Sequence, residues 1–245
     1  MPRKKDRSPP PPRAVIPFDS SDKKIKETWT PERAKDLANF PSPFRMLLLG
    51  LPGGGKSCLI KNVVIHQRPR FKEIFVIHED GPQEEDGAGT TEYDDLDPTM
   101  MMSEVPDLRF WKVVCEADDP KKPPVKRLVI LDDLEMKGSK RLSNLQTLFR
   151  YTSSHKGFSL CLAHQNFFGL EPVIKKCANI FVVWKPRDRD EIGRIEKRVG
   201  LEKGTLKEIF DAAKDDHDSI CIDHTRGTSA PLRLNLFTEI MISDV

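Results

Sequence analysis

The sequence predicts an α/β protein with a mainly parallel sheet covered by helices, and three observations carry this prediction. Five short runs are almost entirely apolar, which is typical of strands buried on both faces. Amphipathic stretches separate several of these runs, as expected for helices that connect parallel strands. A glycine-rich segment, residues 50–55, follows the first run directly and precedes a helical pattern.

The predicted elements follow the chain in order. The five runs are Met46–Leu49, Ile74–Ile77, Leu128–Leu131, Phe158–Ala163 and Ile180–Trp184. Leu142, Leu145, Leu148 and Phe149 form one apolar stripe, which predicts a helix before the fourth run. Two more helices are expected at about 188–199 and 204–214. Ser219–Asp223 and Leu232–Phe237 are expected to close the sheet as an antiparallel strand pair.

Changes in composition divide the chain into three parts. Residues 1–20 are basic and proline-rich, which predicts a disordered arm. Residues 21–43 are expected to form a linker with a short helix at Pro31–Asn39. Residues 44–245 are expected to form the ordered domain. Inside it, residues 79–103 contain nine acidic residues and neither Lys nor Arg, so we expect a solvated insertion loop there.

Charge and composition exclude several classes of protein. The net charge of +2 is too small for a protein that binds nucleic acid through bulk charge alone. No apolar run approaches the roughly 20 residues that cross a bilayer, and the N-terminus lacks a signal-peptide core, so we expect neither a membrane span nor secretion. The five cysteines show no zinc-ligand spacing and are interpreted as reduced thiols of an intracellular protein.

The segment Gly50-Leu-Pro-Gly-Gly-Gly-Lys-Ser57 matches the phosphate-loop pattern G-x-x-x-x-G-K-[ST]. Its glycines allow backbone N–H groups to converge on a phosphate at a helix N-terminus. Lys56 is expected to neutralise the β- and γ-phosphates, and the Ser57 hydroxyl to ligate Mg²⁺. The absence of the tetrapeptide Asn-Lys-x-Asp downstream favours ATP over GTP. The predicted nucleotide-binding residues are Gly50, Leu51, Pro52, Gly53, Gly54, Gly55, Lys56, Ser57 and Cys58.

Two carboxylates follow the third apolar run directly. Asp132 is expected to hold Mg²⁺ through its water shell, and a second carboxylate would orient the attacking water. Asp133 is the first candidate for this base, and Glu135 is the alternative. Because neighbouring residues of a strand point to opposite faces, Asp132 and Asp133 cannot share one role.

The strand Phe158–Ala163 ends in His164-Gln165-Asn166. In a parallel sheet the ligand lies at the carboxyl ends of the strands. Gln165 is therefore expected to contact the γ-phosphate or the attacking water.

The order of five segments resembles that in the DNA-packaging ATPases of the FtsK–HerA superfamily. These segments are the phosphate loop, the Asp132-Asp133 strand end, Ser154-His155, Gln165–Phe168 and Trp184–Arg189. The resemblance is strongest to the poxvirus-type branch of large DNA viruses, virophages and Polinton-like elements, and it spans about residues 44–240.

This resemblance implies a RecA-like (ASCE) P-loop fold and Mg-dependent ATP hydrolysis. It implies a homo-oligomeric ring of five or six subunits that drives double-stranded DNA into a preformed viral capsid. The location would be intracellular, in the cytoplasm or nucleus of an infected host cell, with the virion as an alternative. The metal, base and sensor roles would belong to Asp132, Asp133 and Gln165.

The sequence departs from the family pattern at two places. Many members have Glu where this chain has Asp133, and poxvirus-type members often have Arg-His where this chain has Ser154-His155. A trans-acting arginine must then come from elsewhere. Arg150 is the first candidate, because it lies off the apolar stripe of its helix. Arg187 and Arg189 are the second candidates.

Residues 121–157 contain nine Lys or Arg and three acidic residues. Lys137, Lys140 and Arg141 follow the Asp132-Asp133 strand end, and we expect them to contact the phosphate backbone of DNA. Two other functions stay open: a P-loop switch that uses nucleotide to control partner contacts, and a nucleoside or nucleotide kinase. A kinase is expected to have an arginine-rich lid, whereas the insertion here is acidic.

Overall fold

A computed structural model describes residues 37–79, 92–213, 215, 217–225, 228 and 230–241. The predicted arm, most of the predicted linker helix and residues 80–91 of the acidic segment lie outside the described residues. The described residues form a nine-stranded sheet with helices packed against both faces.

The strands are β1 Arg45–Leu49, β2 Glu73–His78, β3 Met100–Met102, β4 Arg127–Asp132, β5 Phe158–His164, β6 Ile180–Trp184, β7 Ser219–Asp223, β8 Leu232–Leu234 and β9 Thr238–Glu239. The helices are α1 Lys56–His66, α2 Leu108–Glu116, α3 Ser139–Thr147, α4 Ser153–Lys156, α5 Pro172–Cys177, α6 Arg189–Val199 and α7 Thr205–Ala212. A 3₁₀ turn, Asp94–Leu96, precedes β3, and a π-helical turn, Leu148–Thr152, joins α3 to α4.

The strand order is β3-β2-β4-β5-β1-β6-β7-β8-β9. The pairs from β3 to β6 are parallel, and the pairs from β6 to β9 are antiparallel. The predicted mainly parallel α/β fold with antiparallel C-terminal strands is therefore confirmed. Because β5 lies between β1 and β4, the segments that follow these three strands lie side by side at one edge of the sheet.

The apolar strands are buried on both faces. On β4, Leu128 and Ile130 belong to the core cluster on the α1 side of the sheet, whereas Val129 and Leu131 belong to the cluster on the α3 side. Alternate residues thus pack against different helices, and each must be apolar. This two-sided burial explains why the strands are almost entirely apolar; Ser159 of β5 is an exception, and its hydroxyl is hydrogen-bonded.

Part of the acidic segment is not a solvated loop. Met100–Met102 forms β3, which pairs with β2 in parallel and extends the sheet edge. Tyr93, in the same segment, is fully buried. Helix α2, also not predicted, begins after Asp107, whose carboxylate accepts hydrogen bonds from the backbone N–H groups of Arg109 and Phe110.

Among the described residues, no helix combines the length and the apolar composition needed to cross a membrane.

Candidate nucleotide-binding and catalytic site

The phosphate loop leaves β1 at the carboxyl edge of the sheet and leads into α1. Gly53 and Gly55 have φ values of 76° and 95°, a left-handed conformation that glycine adopts without a steric penalty. Helix α1 then begins at Lys56. The Lys56 ammonium donates hydrogen bonds to the carbonyl oxygens of Gly50 and Leu51, at 2.7 and 2.9 Å. The lysine ammonium therefore lies over the loop with which it is expected to bind phosphate.

Burial lowers the pKa of the Lys56 ammonium below its usual value, and the nearby Asp132, Asp133 and Glu92 carboxylates offset part of this shift. The three acids favour the protonated, cationic form that binds phosphate.

Trp184, the last residue of β6, packs against Gly50 and Gly54 of the phosphate loop. A Cβ atom at Gly50 would lie 3.0 Å from the Trp184 Cβ and Cε3 atoms. The Trp184 indole N–H donates a hydrogen bond of 3.0 Å to the carbonyl oxygen of His217, which fixes the ring. Gly50 is therefore required because a fixed indole ring occupies the space that a side chain would fill.

We expect Gly50→Ala to displace the loop and weaken ATP binding, at a stability cost of about 1–3 kcal/mol, because the added methyl overpacks a filled site. Binding of a nonhydrolysable ATP analogue and thermal unfolding measure the two effects. Gly193→Ala is the matched control, because a Cβ there meets no atom within 4 Å and alanine favours the helix by up to about 1 kcal/mol. Wild-type affinity in Gly50→Ala would contradict the assigned contact.

Asp132 ends β4 and is 6% exposed. Its Oδ2 accepts a hydrogen bond of 2.6 Å from the Tyr93 hydroxyl and lies 3.3 Å from the Ser57 Oγ. The Ser57 hydroxyl donates to Glu92 Oε1 at 2.5 Å. Burial and the Asp132 charge raise the pKa of Tyr93, so this hydroxyl stays a donor at neutral pH.

Glu92 and Tyr93 belong to the candidate site, and the sequence analysis did not identify them. Both belong to the acidic segment, where nine carboxylates provide no signal that distinguishes one from the others.

The oxygen atoms at this point suit Mg²⁺. Ser57 and Asp132 present a hydroxyl and a carboxylate close together beside the phosphate loop. Magnesium prefers such oxygen ligands and usually adds water and substrate phosphates to one or two protein groups. The residues therefore fit the metal that the sequence predicts.

Asp133 lies in the cleft, directly after Asp132. Its φ of 50° is left-handed, and its backbone N–H donates to Asp132 Oδ1 at 3.0 Å. This turn leaves Asp132 buried and Asp133 exposed, which separates the two carboxylates as expected. Glu135 also lines the cleft, where Lys137 pairs with it at 3.1 Å.

Arg141 holds the segment that carries these carboxylates. It forms ion pairs with Glu79 and, at 2.9 Å, with Glu104. Glu79 Oε1 accepts from the Glu135 N–H at 2.7 Å, and the Arg141 Nη1 lies 3.3 Å from the Glu135 carbonyl oxygen. The expectation that Arg141 contacts DNA does not match this arrangement, because its side chain is only 19% exposed and its guanidinium is already paired.

Gln165 follows β5, between the phosphate loop and the two carboxylates. The preceding residue, His164, accepts a hydrogen bond of 3.1 Å from the Gly50 N–H and so ties β5 to the loop. All three sequence motifs line one cleft of about 800 Å³. Its lining includes Pro52, Gly53, Gly55, Lys56, Ser57, Cys58, Glu92, Asp132, Asp133, Glu135 and Gln165.

The three candidate arginines lie in different places. Arg150 is exposed on the π-helical turn, next to Phe149, whose carbonyl oxygen lies 3.5 Å from the guanidinium of Arg45 at the start of β1. It therefore lies toward the amino ends of the strands, away from its own phosphate loop. Arg187 lines a smaller cleft of about 160 Å³ together with Gly50 and Gln165. Arg189 is exposed at the start of α6.

No family model and no curated protein sequence matches the chain. Several solved structures are similar to this chain. One is B204, the DNA-packaging ATPase of Sulfolobus turreted icosahedral virus, with 18% identity, a TM-score of 0.53, and 82% of this chain and 100% of that chain covered. Another is the genome-packaging NTPase B204 of Sulfolobus turreted icosahedral virus 2 in complex with ATPγS, with 16% identity, a TM-score of 0.50 and coverage of 81% and 98%.

The pCW3 conjugation coupling protein TcpA, in its monomer form with ATPγS, is also similar, with 13% identity and a TM-score of 0.51 over 83% of this chain and 61% of that chain. At identities this low, the structural similarity establishes a common fold alone. The predicted RecA-like P-loop fold is thereby confirmed: the chain shares the fold of the genome-packaging NTPase B204 and of the coupling protein TcpA.

Proposed function

We propose that this chain is an ATP-hydrolysing motor that translocates double-stranded DNA and packages a viral genome into a preformed capsid. The observation that carries the proposal is the convergence of the phosphate loop, the Asp132-Asp133 strand end and Gln165 on one cleft. Supporting evidence comes from the fold, since solved proteins with this fold are named as genome-packaging and conjugation coupling proteins.

The phosphate loop and the first turn of α1 bind the triphosphate. Backbone N–H groups around Gly53 and Gly55 would surround the β-phosphate, at a helix N-terminus that favours anions. Lys56 would exchange its hydrogen bonds to the Gly50 and Leu51 carbonyl oxygens for bonds to phosphate oxygens. Its charge is then available where negative charge develops during hydrolysis.

Ser57 and Asp132 would hold Mg²⁺, which when bound neutralises phosphate charge. The Ser57 hydroxyl would give up its hydrogen bond to Glu92. The Tyr93 hydroxyl would keep the Asp132 carboxylate in place.

Asp133 is proposed to orient the attacking water and to accept its proton. It is exposed to the cleft, so water can reach it, and it makes no ground-state contact with the loop-bound phosphates in this assignment. The Gln165 amide would donate a hydrogen bond to the γ-phosphoryl group or to the same water.

The active form is proposed to be a ring of five or six subunits, acting in the cytoplasm or nucleus of an infected cell and docking on the capsid. In such a ring a neighbouring subunit can supply an arginine to each site.

We expect Asp133→Asn to lower kcat by about 10²–10⁴-fold, the usual contribution of a general base, with KM for ATP nearly unchanged. Steady-state kinetics at saturating Mg²⁺ measure both constants. Glu135→Gln is the matched variant, because it removes the other carboxylate that lines the cleft. A large kcat loss in Glu135→Gln beside a near-neutral Asp133→Asn would transfer the base role to Glu135.

The proposed function is tested by ATP hydrolysis with and without double-stranded DNA. A translocase is expected to hydrolyse ATP faster when DNA is present. Hydrolysis that requires a small phosphate acceptor would indicate a kinase instead. Slow turnover that responds to neither DNA nor acceptor would indicate a nucleotide-dependent switch.

A further inference from the structure

Helices α5 and α6 enclose a basic groove of about 350 Å³ on the surface of the sheet domain. Besides Phe167 and Pro172, its lining consists of five cationic side chains: Lys175, Lys176, Arg194, Lys197 and Arg198. Among the described residues no acidic side chain lines it. We name this feature the basic groove.

Of the three acidic residues of α6, Asp190 is exposed in the first turn and does not line the basic groove, and the two glutamates point into the protein. Glu191 is 7% exposed and accepts a hydrogen bond from the Phe167 N–H. Glu196 is 3% exposed and accepts from the N–H groups of Gly204 and Leu206, at 3.1 and 2.9 Å. Both carboxylates are used to hold backbone inside the protein, so the outer surface of α6 at the groove is positive. Glu171, the residue before α5, lies near Lys175 and is not among the residues that line the groove.

Lys137, Lys140 and Arg141, which the sequence analysis assigned to DNA, lie at and just before the start of α3, and we name them the α3 patch. Lys137 and Arg141 pair with Glu135, Glu79 and Glu104, as described above. The surface pocket next to them is lined by three acidic residues, Glu104, Asp107 and Glu135, as well as by three cations. Cations that are paired with carboxylates attract a polyanion weakly. The basic groove is therefore expected to bind a phosphate backbone more strongly than the α3 patch does.

The basic groove is connected to Gln165 through the two residues that follow Asn166. Lys175 Nζ donates to the Phe167 carbonyl oxygen at 3.1 Å and lies 4.7 Å from the Phe167 ring centroid. The Arg194 guanidinium lies 4.7 Å from the ring centroid of Phe168. A ligand that draws Lys175 or Arg194 outward would therefore pull on the segment that positions Gln165.

We propose that the basic groove binds the phosphate backbone of duplex DNA and that its occupancy repositions Gln165 in the ATP cleft. This proposal rests on the proposed function and names the surface through which DNA accelerates hydrolysis. Five ammonium and guanidinium groups in one groove complement a phosphate backbone and read no bases, as a translocating motor requires.

The test is DNA binding as a function of salt by the full chain carrying Lys176→Gln and Lys197→Gln. Both lysines are exposed, so the change removes charge with little loss of packing. We expect the slope of log affinity against log salt to fall by about 0.9 for each lost contact, or about two units for the pair. Adding Arg194→Gln is expected to reduce DNA stimulation of kcat further, because this arginine contacts the Gln165 segment.

The matched control is Lys137→Gln with Lys140→Gln, which removes two charges from the α3 patch and is expected to leave the slope unchanged. A melting temperature equal to that of the wild type shows that each variant folds. If the α3 pair lowers the slope and the groove pair does not, or if neither does, the proposal is overturned. If the wild-type chain binds no DNA, the proposed function fails as well, and the wild-type measurement identifies that case.

Discussion

Lys56→Ala is expected to lose ATP hydrolysis, with a fall in kcat/KM of at least about 10³-fold. Removing one preorganised donor to a developing negative charge already costs about 10²–10³-fold, and Lys56 provides a full positive charge. Its ammonium lies 2.7 Å from the Gly50 carbonyl oxygen, over the phosphate loop. Phosphate release in the presence of Mg²⁺ measures the loss, and binding of a fluorescent ATP analogue shows whether affinity falls with it.

Lys61→Ala is the matched control for Lys56→Ala. It removes a lysine from the same helix, but one that pairs with Asp95 at 2.9 Å outside the cleft. Such a surface pair contributes at most about 1 kcal/mol to stability, so turnover is expected to stay within about twofold of the wild type. Wild-type turnover in Lys56→Ala would contradict the active-site assignment.

Arg150→Ala is expected to reduce turnover by about 10³–10⁵-fold, the range measured for arginines supplied to a neighbouring active site. The structure makes Arg150 exposed and places it toward the amino ends of the strands, so it can act on another subunit but not on its own loop. The variant should still bind ATP and still assemble. Native mass spectrometry with a nonhydrolysable analogue checks both properties.

Mixing subunits separates a trans-acting arginine from a residue that acts on its own chain. Arg150→Ala subunits have an intact phosphate loop, and Lys56→Ala subunits have an intact arginine. A mixed ring contains some junctions where both are intact, so partial activity is expected to return. If this mixture stays inactive while Arg187→Ala or Arg189→Ala mixed with Lys56→Ala recovers activity, the trans-acting arginine lies in the segment after β6.

The sequence by itself determined the features that depend on neighbouring residues. The apolar runs became β1, β2, β4, β5 and β6, because a strand buried on both faces is apolar at most positions. The pattern at 50–57 determined the phosphate loop, since glycine at 53 and 55 allows the positive φ that the turn needs. Asp132, Asp133 and Gln165 were predicted to face the ligand because they directly follow strands of a parallel sheet.

Only the tertiary structure decided which distant residues complete the site. The Tyr93 hydroxyl reaches Asp132 across 39 positions, and Arg141 reaches Glu79 across 62, so no local pattern could reveal either pair. The same holds for Gly50: a side chain at this position would clash with Trp184, which lies on the neighbouring strand.

The charge of a surface also depended on the packed structure. In the sequence, residues 121–157 are the conspicuous basic region, whereas the four cations of α6 alternate with Asp190, Glu191 and Glu196, and these charges nearly cancel. Folding reverses this balance, because it pairs Arg141 with two carboxylates and buries both glutamates of α6. A sequence counts charges along the chain, but the field at a surface depends on which of them packing turns inward.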